Sequence, residues 1–330
     1  MIQYLELAAI LTVINCVIVL GLNVQVGYAG MVNLMAIPCV AIGGYVTMVL
    51  ALPRSQGIRI QYILGLNWPF PLAVLGGIAA ASLFALLVGS IALRRLRAYY
   101  FAIVTFCVAE ILHQFVEFYK PLFNGSEGIF GLLPPLPAGL SANFNLYYLL
   151  ICLVLLGVVF GIVEILRRGP FGRALRALRE DQAAAAAFGR NVYRLQLKAF
   201  VIGSAIAGLG GGLLVGFTGA LDPNGWAPGE TLLLLTALYV GGSGNNLGVV
   251  LGMVLTYGLV TQAVTFLPTG SLSADKIAPL QLALYGVILI LVLRFRPMGL
   301  LPERVGRDSL VTHVPGDQQL APDLVTYDAS

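Results

Sequence analysis

Apolar residues in this chain come in long uninterrupted blocks rather than at the alternating spacing of strands or the three-and-four spacing of amphipathic helices. The blocks lie near residues 5–22, 31–52, 70–93, 98–119, 146–166, 195–220, 230–243, 246–267 and 278–295. A helix of about 20 mostly apolar residues spans the hydrocarbon of a bilayer. The pattern therefore predicts an all-α polytopic integral membrane protein with about nine transmembrane helices. Two blocks are weaker. Pro38, Gly43 and Gly44 fall inside 31–52 and predict a broken helix, and 230–243 is short for a full crossing. The first residues lack the basic start and small-residue cleavage site of a signal peptide, so 5–22 is expected to be the first membrane helix.

Composition agrees. Hydrophobic residues make up 58% of the chain and charged residues 10%, with a mean hydropathy of +0.90, whereas soluble domains carry roughly 25% charged residues. The four cysteines, Cys16, Cys39, Cys107 and Cys152, sit singly within apolar blocks and are expected to pack as core thiols. The formal net charge of +4 is small, and its placement matters more than its size. Arg94, Arg95 and Arg97 form one cluster. Arg167, Arg168, Arg173, Arg176, Arg179, Arg190 and Arg194 form a second, and Arg294, Arg296, Arg304 and Arg307 a third. Lys and Arg accumulate in cytoplasmic loops. All three clusters fall inside if the N-terminus is outside and nine crossings follow. The loops at 120–145, 221–229 and 268–277 then face outward, and so does 53–69, against which Arg54 and Arg59 weigh mildly. Residues 303–330 are polar and poor in large apolar side chains, and are expected to form a disordered cytoplasmic tail.

The segment at 170–194, PFGRALRALREDQAAAAAFGRNVYR, is the exception to the apolar pattern. Gly169 and Pro170 suit a helix start and Gly189 suits a left-handed helix end. Between them lie Arg173, Arg176, Arg179, Glu180 and Asp181, followed by five alanines. A loop that only fixes topology needs neither alanine-rich helix propensity nor capped ends, so this stretch is expected to be a helical handle that docks a soluble protein.

This handle resembles the coupling region of the branched-chain amino-acid ABC transporter permeases of the LivM type. The resemblance is carried by Phe171-Gly172-Arg173, Ala177-Leu178-Arg179-Glu180-Asp181 and Phe188-Gly189-Arg190-Asn191, and by Lys198 to Gly203 at the next helix start. Further motifs agree in order: Gly27-Tyr28-Ala29-Gly30; Tyr99 to Phe106 leading to Ala109-Glu110-Ile111; Asn124 to Ile129; Gly241-Gly242-Ser243-Gly244; and Arg296 to Leu301. The resemblance covers roughly 10–302. It implies a transmembrane permease domain at 1–302 with a coupling segment at 167–194, in the bacterial inner membrane. It implies as partners a second LivH-like permease chain, two cytoplasmic ATP-binding subunits and an extracytoplasmic solute-binding protein. It further implies that Arg173, Arg176, Arg179, Glu180, Asp181 and Gly189 couple to the ATPases. The sequence departs from the family after GYAG, at Val32 to Pro38, and after the GGSG turn, at Asn245 to Gly248. Both departures touch the substrate, which is expected to be a branched-chain or other neutral amino acid, with urea or a short amide as the alternative.

Polar residues within membrane helices need partners and often mark a path. Asn15, Asn23, Gln25 and Asn33 cluster early; Tyr28, Asn33, Thr105 and Glu110 are the candidates for a substrate path. Asn33 stands out because the GYAG turn before it is expected to leave backbone groups free. Interhelical hydrogen bonding without ligand contact is the competing reading for each. Glu110, His113 and Glu117 share one helix face; a metal or proton relay there weighs less than structural pairing, and Glu110 is expected to pair with a neighbouring helix. The Gly210-Gly211-Gly212 run lacks the Gly-Lys-Ser/Thr end of a phosphate loop. ATP is thus expected on partner subunits, with no cofactor, metal or nucleic acid on this chain and no catalytic residues. An ion-coupled secondary transporter using Glu110 is the remaining alternative, and it leaves the handle unexplained.

Overall fold

In hydrocarbon a helix satisfies every backbone polar group within its own segment, and the apolar blocks obey that demand. A computed structural model describes residues 2–53, 65–95, 98–119, 124–132, 143–227, 229–261, 277–296 and 299–301, and among these described residues the chain forms eleven α-helices. The expected tail at 303–330 and much of the loops at 53–69, 120–145 and 268–277 lie outside the described residues. Helix α1 (Ile2–Asn23) runs into π-helical turns at Val24–Tyr28. It is followed by α2 (Ala36–Ala51), α3 (Phe70–Arg95), α4 (Ala98–Phe118) and α5 (Phe144–Arg168). Two short polar helices, α6 (Pro170–Glu180) and α7 (Gln182–Ala187), precede the long α8 (Val192–Thr218). The last three are α9 (Glu230–Gly241), α10 (Asn246–Met253, prolonged by π-helical turns at Val254–Thr261) and α11 (Ile277–Phe295). Two-residue strands β1 (Ile129–Phe130) and β2 (Ala220–Leu221) pair antiparallel, Ile129 opposite Leu221.

Among the described residues each apolar block carries a helix, but the helices differ in length. Leu5–Tyr28, Phe70–Arg94, Tyr100–Phe118, Phe144–Arg168 and Val192–Thr218 are long and apolar enough to cross a membrane. Ala36–Ala51, Glu230–Gly241, Asn246–Gly258 and Ala283–Val292 are shorter. At about 1.5 Å per residue, α9 with 12 residues covers well under the roughly 30 Å of a hydrocarbon core.

The break expected within 31–52 lies at its start rather than at Pro38, Gly43 or Gly44. Pro38 falls in the first turn of α2, where its missing N–H is no loss, and Gly43 and Gly44 sit inside a continuous helix. The interruption precedes α2, between the π-helical turns and Ala36, where Gly30 adopts φ +67°. The two glycines instead serve packing. A Cβ on Gly43 would collide with the backbone of Gly208 in α8, and one on Gly211 with the carbonyl of Val40. Helices in lipid associate through such close backbone approach.

Packing sorts the helices into two groups. In α1 and α8, 67% of the apolar window is buried inside the protein, against 22% in α4 and 17% in α5. α8 packs on α1, α2 and α3; α1 also meets α5, α9 and α10; and α11 leans on α9. α4 and α5 turn rows of large side chains outward, among them Ile103, Ile111, Phe115, Val154 and Ile165, as helices bathed in lipid do. Cys16, Cys39 and Cys152 are buried as expected, but Cys107 is exposed on this outward face of α4.

Candidate coupling site and translocation path

The coupling segment is built as a bent pair rather than one helix. Pro170 opens α6, and Ala174, Leu175 and Leu178 form its buried stripe, opposite exposed Arg173, Ala177 and Glu180. The single helix expected to run to Gly189 breaks at Asp181 (φ −151°, ψ 111°). There the carboxylate accepts from the N–H groups of Ala183 at 2.8 Å and Ala184 at 3.1 Å. Asp181 is thus the N-cap of α7, and the alanines run to Phe188. Gly189, at φ +75°, ends the pair in the left-handed conformation expected of it. Phe188 is 86% exposed, more than any other large apolar residue described.

The charges of this segment divide between inward and outward roles. Arg179 donates from Nη1 to the Gly27 carbonyl in the π-helical end of α1. Arg176 donates from Nη2 to the Arg167 carbonyl at 3.3 Å. The exposed Arg173 reaches the Arg168 carbonyl at 3.4 Å; Glu180 and Asp181 are exposed. The fit around Arg179 is tight: a Cβ on Gly30 would lie 2.8 Å from Arg179 Cγ.

A buried polar network joins that contact to the rest of the arginine-rich end. Asn23 Nδ2 donates to Asn246 Oδ1 at 3.0 Å, and Tyr28 Oη donates to the same oxygen at 2.5 Å. The Gly244 N–H, in the GGSG turn, donates to Asn23 Oδ1 at 2.9 Å. Asn246 Nδ2 donates to Glu164 Oε2 at 2.9 Å, while Glu164 Oε1 pairs with Arg167 at 2.5 Å and Arg168 at 2.7 Å. The GYAG element, the GGSG turn and the ends of α5 and α6, distant in sequence, therefore converge. Tyr28 belongs to this network.

Asn33 and Thr105 meet one step further in, at the break between α1 and α2. Asn33 Nδ2 donates to Gln25 Oε1 at 2.6 Å, and its Oδ1 accepts from Met35 N at 2.8 Å. Gln25 Nε2 in turn reaches the Phe200 carbonyl at 2.8 Å and Ser204 Oγ at 3.2 Å. Thr105 Oγ1 accepts from Leu34 N at 3.2 Å and donates to the Ala102 carbonyl at 2.9 Å. The turn before Asn33 is not the set of free backbone groups expected: Gly30 N donates to Val26 O, Met31 N to Gln25 O, and Gly27 O accepts from Arg179. A buried polar group is costly without a partner, and here the chain supplies the partners itself.

Glu110 is not brought to this group. It accepts from Gln114 Nε2 at 3.0 Å on its own helix rather than from a neighbour, and lines a shallow groove with Ile111, Phe115, Phe118 and Tyr119. His113, from the same helix, sits under a loop: Nε2 is 3.0 Å from the Pro223 carbonyl, and the ring meets Trp226 edge-on at 5.1 Å.

That loop closes a cavity of ≈ 140 Å³ between α1, α2, α8, α9 and α10. Its walls are mostly aliphatic, with Asn15, Glu230 and Tyr257 as polar members. Trp226, buried at one end, lies edge-on to Tyr45 at 5.9 Å, with Nε1 3.4 Å from the Tyr45 hydroxyl. Sequence reasoning passed over Trp226 and Glu230. The available signal was the Asp222-Pro223-Asn224-Gly225 turn, which sets one of only two tryptophans directly before a short apolar helix; Asp222 caps it by accepting from Gly225 N at 2.8 Å.

Apolar helices packed through glycines, with a polar helix pair pinned to a break in the first of them, define a multi-pass transport protein. The chain belongs to the family described as "Branched-chain amino acid transport system / permease component", which matches residues 4–293. It is 29% identical to the "Probable branched-chain amino acid transport permease protein LivM" of Methanocaldococcus jannaschii, over 87% of this chain and 90% of that one. It is likewise 29% identical to the high-affinity branched-chain amino acid transport system permease protein LivM of Escherichia coli K12, covering 89% of this chain and 69% of that protein. The corresponding LivH protein of E. coli K12 is 28% identical, over 86% and 90%. No solved structure matches the chain. Membership and apolar helices together make this a multi-pass protein of the inner (plasma) membrane and a member of a transport-permease family.

Proposed function

We propose that this chain is the membrane-spanning permease subunit of an ABC importer for branched-chain or other neutral aliphatic amino acids. Two partner subunits hydrolyse ATP on the cytoplasmic side, a second LivH-like permease chain completes the membrane part, and an extracytoplasmic binding protein delivers the substrate. Residues 1–302 form the permease domain and 303–330 a cytoplasmic tail. The arginine-rich end faces the cytoplasm, which puts the Trp226 loop outside.

The contact of Arg179 with the Gly27 carbonyl carries this reading. It joins a surface helix pair, with Phe188 and Arg173 outward, to the irregular end of the first span. Force applied by an ATPase to α6 and α7 reaches α1 through that hydrogen bond and reaches α5 and α10 through Glu164 and Asn246. Arg173, Glu180, Asp181 and Phe188 are the docking surface; Arg176 and Arg179 transmit. The aliphatic walls of the cavity favour a branched-chain side chain over urea or a short amide, which would leave its polar groups unpaired there.

Replacing residues 171–190 with a flexible linker tests the assignment. Loss of ATPase co-purification in detergent, with the second permease chain retained, is the expected result. Retention of the ATPases by the linker variant overturns it.

A further inference from the structure

The outward faces of α4 and α5 look alike in hydropathy and differ in chemistry. Every exposed residue of α5 from Leu150 to Ile165 is aliphatic or glycine, which suits contact with lipid tails. The α4 row is interrupted. Between Ile103 and Phe118 its outward face also carries Cys107, the half-buried Glu110 and the exposed Gln114. The Glu110 carboxylate accepts from Gln114 Nε2 at 3.0 Å, its one hydrogen bond among the described residues. The groove around this pair is lined by α4 alone among the described residues.

Depth makes that pair costly. Glu110 stands twelve residues beyond Ala98 in α4, about 18 Å along the helix at about 1.5 Å per residue. A hydrocarbon core is about 30 Å thick, so the carboxylate lies well inside it. Ionisable side chains at such depth face protein or water, not lipid tails. Nothing from this chain covers Glu110, and α4 packs only lightly on α2 and α3, whereas α5 lies along α1. The spacing points the same way. Ile103, Cys107, Glu110 and Gln114 follow one another by four, three and four residues, the repeat with which one helix presents a seam to another. Phe106 flanks the seam on one side and Ile111 and Phe115 on the other, all three exposed.

We propose that this face of α4 is the seat of the second permease chain. A membrane helix of that chain lies along Ile103, Cys107, Glu110 and Gln114 and presents a hydrogen-bond donor to the Glu110 carboxylate, while Phe106, Ile111 and Phe115 pack around it. The small side chain of Cys107 admits close approach one turn below the polar pair. The α5 face remains in contact with lipid. The inference rests on the importer reading above and adds to it the surface through which the two permease chains meet.

Photo-cross-linking in membranes tests it, with the LivH-like chain and the ATPases co-expressed. The cross-linker p-benzoylphenylalanine replaces Ile111 or, for comparison, Val154, which are exposed to 68% and 66%. Capture of the LivH-like chain from position 111 and not from position 154 is the expected result. Lipid alone at position 111, a second copy of this chain there, or equal capture of the LivH-like chain at both positions overturns the inference. Replacing the polar pair, Glu110→Leu with Gln114→Leu, gives a second readout. A lipid-facing helix accepts that change without loss. A seat loses its partner's hydrogen bond, so recovery of the LivH-like chain in detergent is expected to fall roughly three- to tenfold, at equal amounts of this chain in the membrane. Glu110→Gln, which keeps an acceptor, is expected to restore most of it. Undiminished recovery with the double leucine variant overturns the inference. Leucine import by the unaltered complex separates the two readings: import with lipid-only capture sinks the seat alone, whereas failure of the unaltered chain to co-purify with any second permease chain sinks the importer.

Discussion

The C-terminal end of α1 and its middle are held by opposite kinds of force. At its C-terminal end Asn23, Gly27 and Tyr28 meet Asn246, Gly244 and Arg179 through directional hydrogen bonds. Along its middle turns Leu11, Ile14 and Ile18 face a chamber of ≈ 140 Å³ that is not filled by protein. Hydrogen bonds are directional, weakening steeply as the donor angle falls toward about 120°. Dispersion contacts are small individually and indifferent to direction. The C-terminal end of the helix therefore registers displacement more sharply than its middle.

Three substitutions bear on this contrast, from large effect to small. Asn246→Leu removes the shared partner of Asn23, Tyr28 and Glu164. With about 1–3 kcal/mol for each buried group left unpaired, the loss should reach about 4 kcal/mol and show as a marked drop in the thermal midpoint of the solubilised complex. Trp226→Ala empties a packed site on the chamber wall and is expected to cost about 3 kcal/mol, while opening the chamber and raising leakage of leucine in proteoliposomes without ATP. Should Trp226→Ala prove more destabilising than Asn246→Leu, the contrast between the two regions is reversed. Asp181→Ala removes only a helix cap; about 1 kcal/mol is expected, with weaker ATPase affinity as the sharper readout, because the bend that presents Phe188 is lost.

Much of this could be read from the chain. Apolar blocks announce membrane helices because only a helix closes its own hydrogen bonds in lipid, and the ordered motifs at Gly27, Arg179 and Gly241 mark the family. Tyr28, Asn33 and Thr105 were recognisable as polar positions in apolar surroundings. Their partners were not, since Asn23 and Asn246 are 223 residues apart and nothing local encodes the pairing. The bend at Asp181 is concealed by the alanines after it, which are the best helix formers available; only the preference of Asp for a cap argues the other way. Glu110 misled for a different reason. A carboxylate in an apolar run suggests a partner on another helix, but α4 packs only lightly on α2 and α3, so the side chain settles for Gln114 one turn on. The chamber depends on five helices failing to fill a space, and no pattern along one strand of sequence records that.

The pairing of β1 with β2 has a mechanical consequence. It stitches the segment after α4 to the segment between α8 and the Trp226 turn, with Gly131 N and Leu132 N both donating to the Gly219 carbonyl at 3.1 and 3.2 Å. His113 adds a second stitch from α4 to Pro223. The Pro223–Trp226 turn is therefore tied to α4, and moving it as a unit must either drag that end of α4 with it or first tear this seam. Displacement of that turn as a unit therefore resists small pushes and yields only once these bonds break together.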